Sequence, residues 1–114
     1  MSADSAAGVS GARKDSGGGA DRVEVEHSPA RERYLASVGG EPVGYVDYVA
    51  EPERMVLTHT VVHDRYAGRG YAGQLVRYVL DDIRASGKKV VPVCSYVVTY
   101  IERHPEYQDL VDAS

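Results

Sequence analysis

From Val23 to His27 the chain reads Val-Glu-Val-Glu-His, an alternation that predicts a short edge strand ended by Ser28-Pro29. Arg31 to Val38 predicts a second strand, with Tyr34, Ala36 and Val38 on one face. Gly39-Gly40-Glu41 predicts a hairpin turn, because glycine supplies the positive φ that tight hairpins require. Pro42 to Ala50 is then the returning strand, followed by the polar turn Glu51-Pro52-Glu53. Arg54 to Val62 reads as a longer strand rich in β-branched residues, with Met55, Leu57, His59 and Val61 on one face. The first half is thus an antiparallel meander.

After the loop His63-Asp64-Arg65-Tyr66-Ala67-Gly68-Arg69-Gly70 the period changes to that of a helix. Ala72, Leu75, Val76, Val79 and Ile83 form one stripe, and Gln74, Arg77, Asp81 and Arg84 lie opposite. Gly87 predicts the helix stop. Lys89 to Val93 predicts a short apolar strand, parallel to the one before the helix. Ser95 is the predicted cap of a short helix through His104, interrupted by Pro105, with a last turn at Leu110-Val111. The order β-β-β-β-α-β-α describes an α/β fold: a mixed, mostly antiparallel sheet with one right-handed βαβ crossover between Arg54 and Val93.

Composition narrows the function classes. Met1 to about Arg22 is Gly, Ser, Ala and Asp with almost no large apolar residue, so a disordered tail is expected there, and one domain from Val23 to Ser114. The tail's charges cancel, so the formal charge of −4 belongs to the folded part, which argues against nucleic acid as a partner. The single cysteine, Cys94, excludes an internal disulfide. With no membrane-length apolar run and no hydrophobic leader, a cytoplasmic location away from membranes is expected.

The turn Arg65–Gly70 is the sharpest local feature. Two glycines let the backbone curl and point N–H groups inward, and the following helix adds its free amides and its dipole. That makes an anion cradle, with Arg65 and Arg69 beside it; the glycines alone suit a plain tight turn equally well. Gly68-Arg69-Gly70-Tyr71-Ala72-Gly73 also matches G-x-G-x-x-G literally. A dinucleotide site, however, needs a carboxylate about 20 residues on, and the strand Lys89–Val93 carries none. No P-loop sequence is present.

The stretch resembles motif A of the GNAT superfamily of N-acetyltransferases, [Q/R]-x-x-G-x-[G/A], through Arg65, Gly68 and Gly70. It is most similar to a subgroup of very short GNAT-like proteins. These have His-Thr before the turn (here His59-Thr60), Pro-x-Cys near the end of the next strand (Pro92-Val93-Cys94), and Tyr-Ile-x-x-His-Pro-Glu-Tyr (Tyr100 to Tyr107). The resemblance spans about Val23 to Val111. It implies that acetyl-CoA, or a related acyl-CoA, sets its pyrophosphate on the amides of Gly68, Arg69 and Gly70. Its pantetheine arm would run along the open strand edge near Val61 and Val62, between splayed fourth and fifth strands. It implies transfer of the acyl group to an amine. Larger GNAT enzymes have a helical region between their first two strands and two further C-terminal strands that enclose the acceptor. Their absence here motivates one alternative, a non-catalytic CoA-binding module; a glycine turn that is only structural gives the other, a protein-interaction domain.

Acyl transfer needs a neutral amine, a stabilised oxyanion and a protonated leaving thiolate. A backbone N–H near Val61 or Val62 is the candidate for the oxyanion. Tyr100 is the candidate general acid, from its place in the family pattern, or else a packed aromatic. Cys94 is a candidate acyl-accepting nucleophile, or a small buried hydrophobe. His59 is a candidate base or hydrogen-bonding anchor, or a structural histidine. His104 reads as a helix-end cation. His59 and His63 lack the companions of a zinc site, so no metal is expected.

Overall fold

The computed structural model describes residues 22–112, and the expected N-terminal tail up to Asp21 lies outside the described residues. Five strands form one sheet in chain order: β1 (Glu24–Ser28), β2 (Arg33–Val38), β3 (Glu41–Ala50), β4 (Arg54–Val62) and β5 (Lys89–Pro92). The first four pair antiparallel, and β5 joins β4 in parallel after helix α1 (Tyr71–Ser86). Helix α2 (Ser95–Arg103) and a 3-10 segment (Pro105–Leu110) complete the chain, and Val111 bridges to Val90 beyond the outer edge of β5. Among the described residues no helix is long and apolar enough to cross a membrane.

Local chemistry sets most of the boundaries. Gly39 and Gly40, at φ 58° and 85°, turn the β2–β3 hairpin through the left-handed region. The second strand begins later than expected, because Pro29 opens a 3-10 turn that ends at Glu32, itself left-handed at φ 51°. Gly87 stops α1 in the left-handed conformation, its N–H donating to the Arg84 carbonyl. Helix α2 is capped by Cys94 rather than Ser95, which is already its first helical residue.

The apolar stripe of α1 is wider than the sequence reading, with Tyr71 and Leu80 buried beside Leu75, Val76, Val79 and Ile83. It packs over Tyr34, Ala36, Val46, Tyr48, Met55, Leu57 and Val90 of the sheet, and Val97 and Ile101 of α2 join the same core. Tyr34 keeps its place there by donating its hydroxyl to Asp82 at 2.6 Å and stacking on His27 at 4.1 Å. The other sheet face carries the Arg33–Asp47 pair, with the Arg33 guanidinium 4.0 Å from the Tyr45 ring centroid.

The face assignment of β4 needs correction. Tyr48 pairs with Leu57 and Asp47 with His59, so Thr58 is an extra, bulged residue. The bulge shifts the alternation by one position. Thr60 opposes buried Val46 and so joins the core face of Leu57. His59 opposes Asp47 on the other face and is exposed.

Candidate functional site

Strands β4 and β5 run together only from Arg54↔Lys89 to Leu57↔Pro92. There the Leu57 carbonyl accepts both the Val93 and the Cys94 N–H, each at 3.0 Å, and the ladder ends while β4 continues to Val62. The Thr58 bulge lies at this point on one strand, and Pro92, which brings no N–H, on the other. The result is a splay with an open β4 edge.

Lateral backbone groups alternate along a strand, and β3 claims one set. The Val61 carbonyl lies against Gly44, where a Cβ would sit 2.2 Å from it, and the His63 N–H donates to the Val43 carbonyl at 2.9 Å. The groups of Thr60 and Val62 therefore face the splay. Of the two neighbouring candidates Val61 and Val62, geometry turns Val62 toward the gap and Val61 toward β3.

The glycine turn closes the mouth of the splay. A 3-10 segment, Asp64–Tyr66, leads into Gly68 at φ 81° and Gly70 at φ 80°. Both conformations suit glycine and are costly for other residues, and added Cβ atoms would meet nothing within 4 Å. Backbone shape rather than crowding therefore explains these glycines. Gly70 is the N-cap of α1 and offers no side chain, so the helix end presents its amides and dipole to an incoming anion. Arg65 and Arg69 stand over Tyr66, at 5.3 and 5.8 Å from its ring centroid. Tyr66 is tied to the β2–β3 hairpin by a 2.8 Å hydrogen bond from its hydroxyl to Glu41. A cavity of about 340 Å³ runs from Val62 past Gly68 and Gly70 to Tyr96.

Deeper in the splay, Cys94 Sγ lies 3.5 Å from Thr60 Oγ1. Burial pushes its thiol up, but the Thr60 hydroxyl and the amides of Val97, Tyr96 and Thr60 outweigh that and hold it below the ordinary thiol value. The bulge thus brings Thr60, which sequence periodicity put on the wrong face, against Cys94. Tyr96, one turn before Tyr100, was missed by the sequence reading, because an exposed aromatic in a short helix carries no periodic signal. It lines both this cavity and a second one of about 400 Å³ between α1 and α2. Burial raises the pKa of its phenol.

Tyr100 faces the second cavity and stacks on His104 at 3.9 Å. Burial raises its phenol as well, while Arg77 pulls in the other direction. His104 Nδ1 lies 2.8 Å from the Tyr100 carbonyl, in keeping with a helix-end role. His59 stands apart from all these groups, within 3.1 Å of the Thr58 hydroxyl on the opposite sheet face. Among the described residues no cluster of His, Cys, Asp and Glu is suited to hold a metal ion.

Comparison with known proteins bears on the fold and the family. Protein NATD1 of Gallus gallus is 32% identical over 87 residues, covering 73% of this chain and 77% of that protein, and Homo sapiens NATD1 is likewise 32% identical over 87 residues, at 73% and 75%. A GCN5-like protein of Staphylococcus aureus, solved by NMR, superposes with a TM-score of 0.62 at 19% identity, over 82% of this chain and 91% of that one. A ribosomal-protein-alanine N-acetyltransferase from Brucella melitensis superposes with a TM-score of 0.51 at 25% identity, over 72% and 62%. Residues 33–110 match the GCN5-related N-acetyl-transferase family, and the chain belongs to it.

Proposed function

We propose that this chain is an acyl-CoA-dependent N-acyltransferase that moves an acetyl group from acetyl-CoA to an amine. The observation that carries the reading is the β4–β5 splay opening directly onto the glycine turn. A pyrophosphate on the amides at Gly68, Arg69 and Gly70, flanked by Arg65 and Arg69, puts an extended thiol arm past Val62 and its carbonyl carbon near Thr60 and Cys94. In Arabidopsis thaliana Naa50, which has the same fold, the bisubstrate analogue CoA-Ac-MVNAL is bound; an amine acceptor joined to CoA fits the same reading here.

The free amine attacks the thioester carbonyl, and the N–H of Val62 at the open edge stabilises the oxyanion. The C–S bond then breaks, and the departing thiolate takes a proton. Tyr96 is the better placed donor, since it lines the Val62 cavity and its phenol carries a proton at neutral pH. Tyr100 belongs to the neighbouring cleft, and His59 to the opposite face. A second reading is favoured by the lowered Cys94 pKa. Here the Cys94 thiolate attacks first, CoA leaves as the protonated thiol, and the amine then takes the acyl group from the Cys94 thioester.

The test is CoA release with acetyl-CoA and a panel of amines and peptides, after a thermal-shift titration with acetyl-CoA and CoA. Ligand at about 100 times its Kd adds about 2.7 kcal/mol and raises the melting point measurably. Tyr96→Phe is expected to lower kcat about a hundredfold, and Tyr100→Phe much less. A full-rate Tyr96→Phe enzyme would remove the acid assignment. An acetyl adduct on Cys94 by intact mass, formed from acetyl-CoA alone, would select the covalent route. A thermal shift without turnover would identify a binding module, and neither would identify an interaction domain.

A further inference from the structure

The cleft between α1 and α2 is larger than the glycine turn needs. It has a volume of about 400 Å³ and touches the turn at Gly70. Two helical stripes face each other across it. One is Gly70, Gly73, Gln74 and Arg77, and the other is Tyr96, Thr99, Tyr100 and Arg103, each spanning two turns of one helix face. Among the described residues no carboxylate side chain lines it.

Neither Arg77 nor Arg103 is hydrogen-bonded or ion-paired to another described residue. Asp81, one turn on from Arg77, is engaged by the Tyr107 hydroxyl at 2.7 Å. Arg77 and Arg103 are exposed at the cleft and, like Arg65 and Arg69 beside the turn, have no carboxylate partner among the described residues, unlike Arg33, Arg54 and Arg84, so the cleft offers positive charge to an anion. Their position narrows its chemistry. Arg77 lies seven residues beyond Gly70, about 10 Å along the helix, and its side chain leans back toward the N-terminus. Its charge therefore falls one sugar's span from the turn. Beside it are the stacked Tyr100 and His104 rings, and the cleft floor at Gly73 has no side chain. A Cβ there would only reach ordinary contact with Tyr96 and Tyr100, at 3.8 and 3.9 Å, so packing does not require the glycine.

We infer that Arg77 and Arg103 bind the ribose 3′-phosphate of coenzyme A, so that this chain selects CoA over dephospho-CoA. The assignment rests on the acyl-CoA reading and adds a determinant to it. The turn holds the pyrophosphate, which both ligands carry; the cleft holds the phosphate that only CoA carries.

The test is calorimetric titration of the full chain with CoA and with dephospho-CoA, on the native protein, Arg77→Gln, Arg103→Gln and the double variant. Charge-assisted bonds from two guanidinium groups lead us to expect at least a tenfold preference of the native chain for CoA. In the double variant that preference disappears through loss of CoA affinity, while dephospho-CoA still binds, which also shows that the variant is folded. Arg77→Lys retains part of the preference. Equal native affinities for the two ligands would overturn the inference and leave the acyl-CoA reading standing. So would variants that weaken both ligands alike, which would place the arginines on the shared pyrophosphate. Binding of neither ligand to the native chain would overturn both readings.

Discussion

Gly44→Ala is the sharpest test of how this sheet carries its site. Gly44 pairs with Ala36 on one side and Val62 on the other, in the middle of the sheet. A Cβ added there would lie 2.2 Å from the Val61 carbonyl oxygen and 3.1 Å from Val62 Cα. Real Cβ atoms essentially never approach within 3.0 Å, so the strands must part by most of an ångström. The obstacle is backbone, which no rotamer change can remove. Overpacking of a core costs about 1–3 kcal/mol, and a rigid obstacle belongs at or beyond the upper end. For a domain of this size each kcal/mol shifts the melting point by about 4–8 °C, so a fall of about 12 °C or more is expected. The displaced segment is the end of β4 that carries Val62 into the glycine turn, so CoA affinity should fall as well. The assay is thermal unfolding by circular dichroism with and without CoA. Gly73→Ala is the control: its Cβ meets nothing closer than 3.8 Å, and helix propensity favours alanine by up to about 1 kcal/mol, so its melting point should hold or rise. A Gly44→Ala melting point within about 2 °C of the native value would refute the reasoning.

Three further outcomes follow from the same structure. Alkylation of Cys94 by iodoacetamide should show a midpoint below that of an ordinary thiol, and Thr60→Val should move it upward; a native midpoint at or above the free-thiol value would contradict the geometry. Tyr107, raised to about 12 by burial and its bond to Asp81, and Tyr34, raised by burial and Asp82, hold their protons more tightly folded than unfolded. Their stabilisation is complete below about pH 10 and is lost as pH climbs through the folded values, so the melting point should fall steeply above pH 10, and less steeply in Tyr107→Phe. Gly70→Ala, forcing a side chain to φ 80°, should cost about 1–2 kcal/mol and weaken CoA binding; unchanged affinity would count against the turn as the anion cradle.

Much of this was legible in the chain itself. Alternation marked the four meander strands, the change of period marked α1, and Gly39-Gly40, Gly68 and Gly70 marked turns, because each signal depends on neighbours in sequence. The bulge was not legible. Thr58 is one residue in an unbroken β-branched strand, and only pairing with β3, where Tyr48 meets Leu57 and Asp47 meets His59, shows that the alternation slips. That slip sends His59 to the far face and brings Thr60 to Cys94. Nor does local periodicity place Tyr96 and the pair Arg77 and Arg103, since those positions acquire meaning only when two helices pack.

The sequence by itself determined the order of elements, the glycine turn after β4 and the cysteine after β5, all of which are set by short-range stereochemistry and hydrophobic period. Tertiary structure alone decided that β4 and β5 part after Leu57, that Val62 rather than Val61 faces the gap, and that two arginines from separate helices share one cleft. Those outcomes depend on register and helix packing, which bring together residues far apart in the chain.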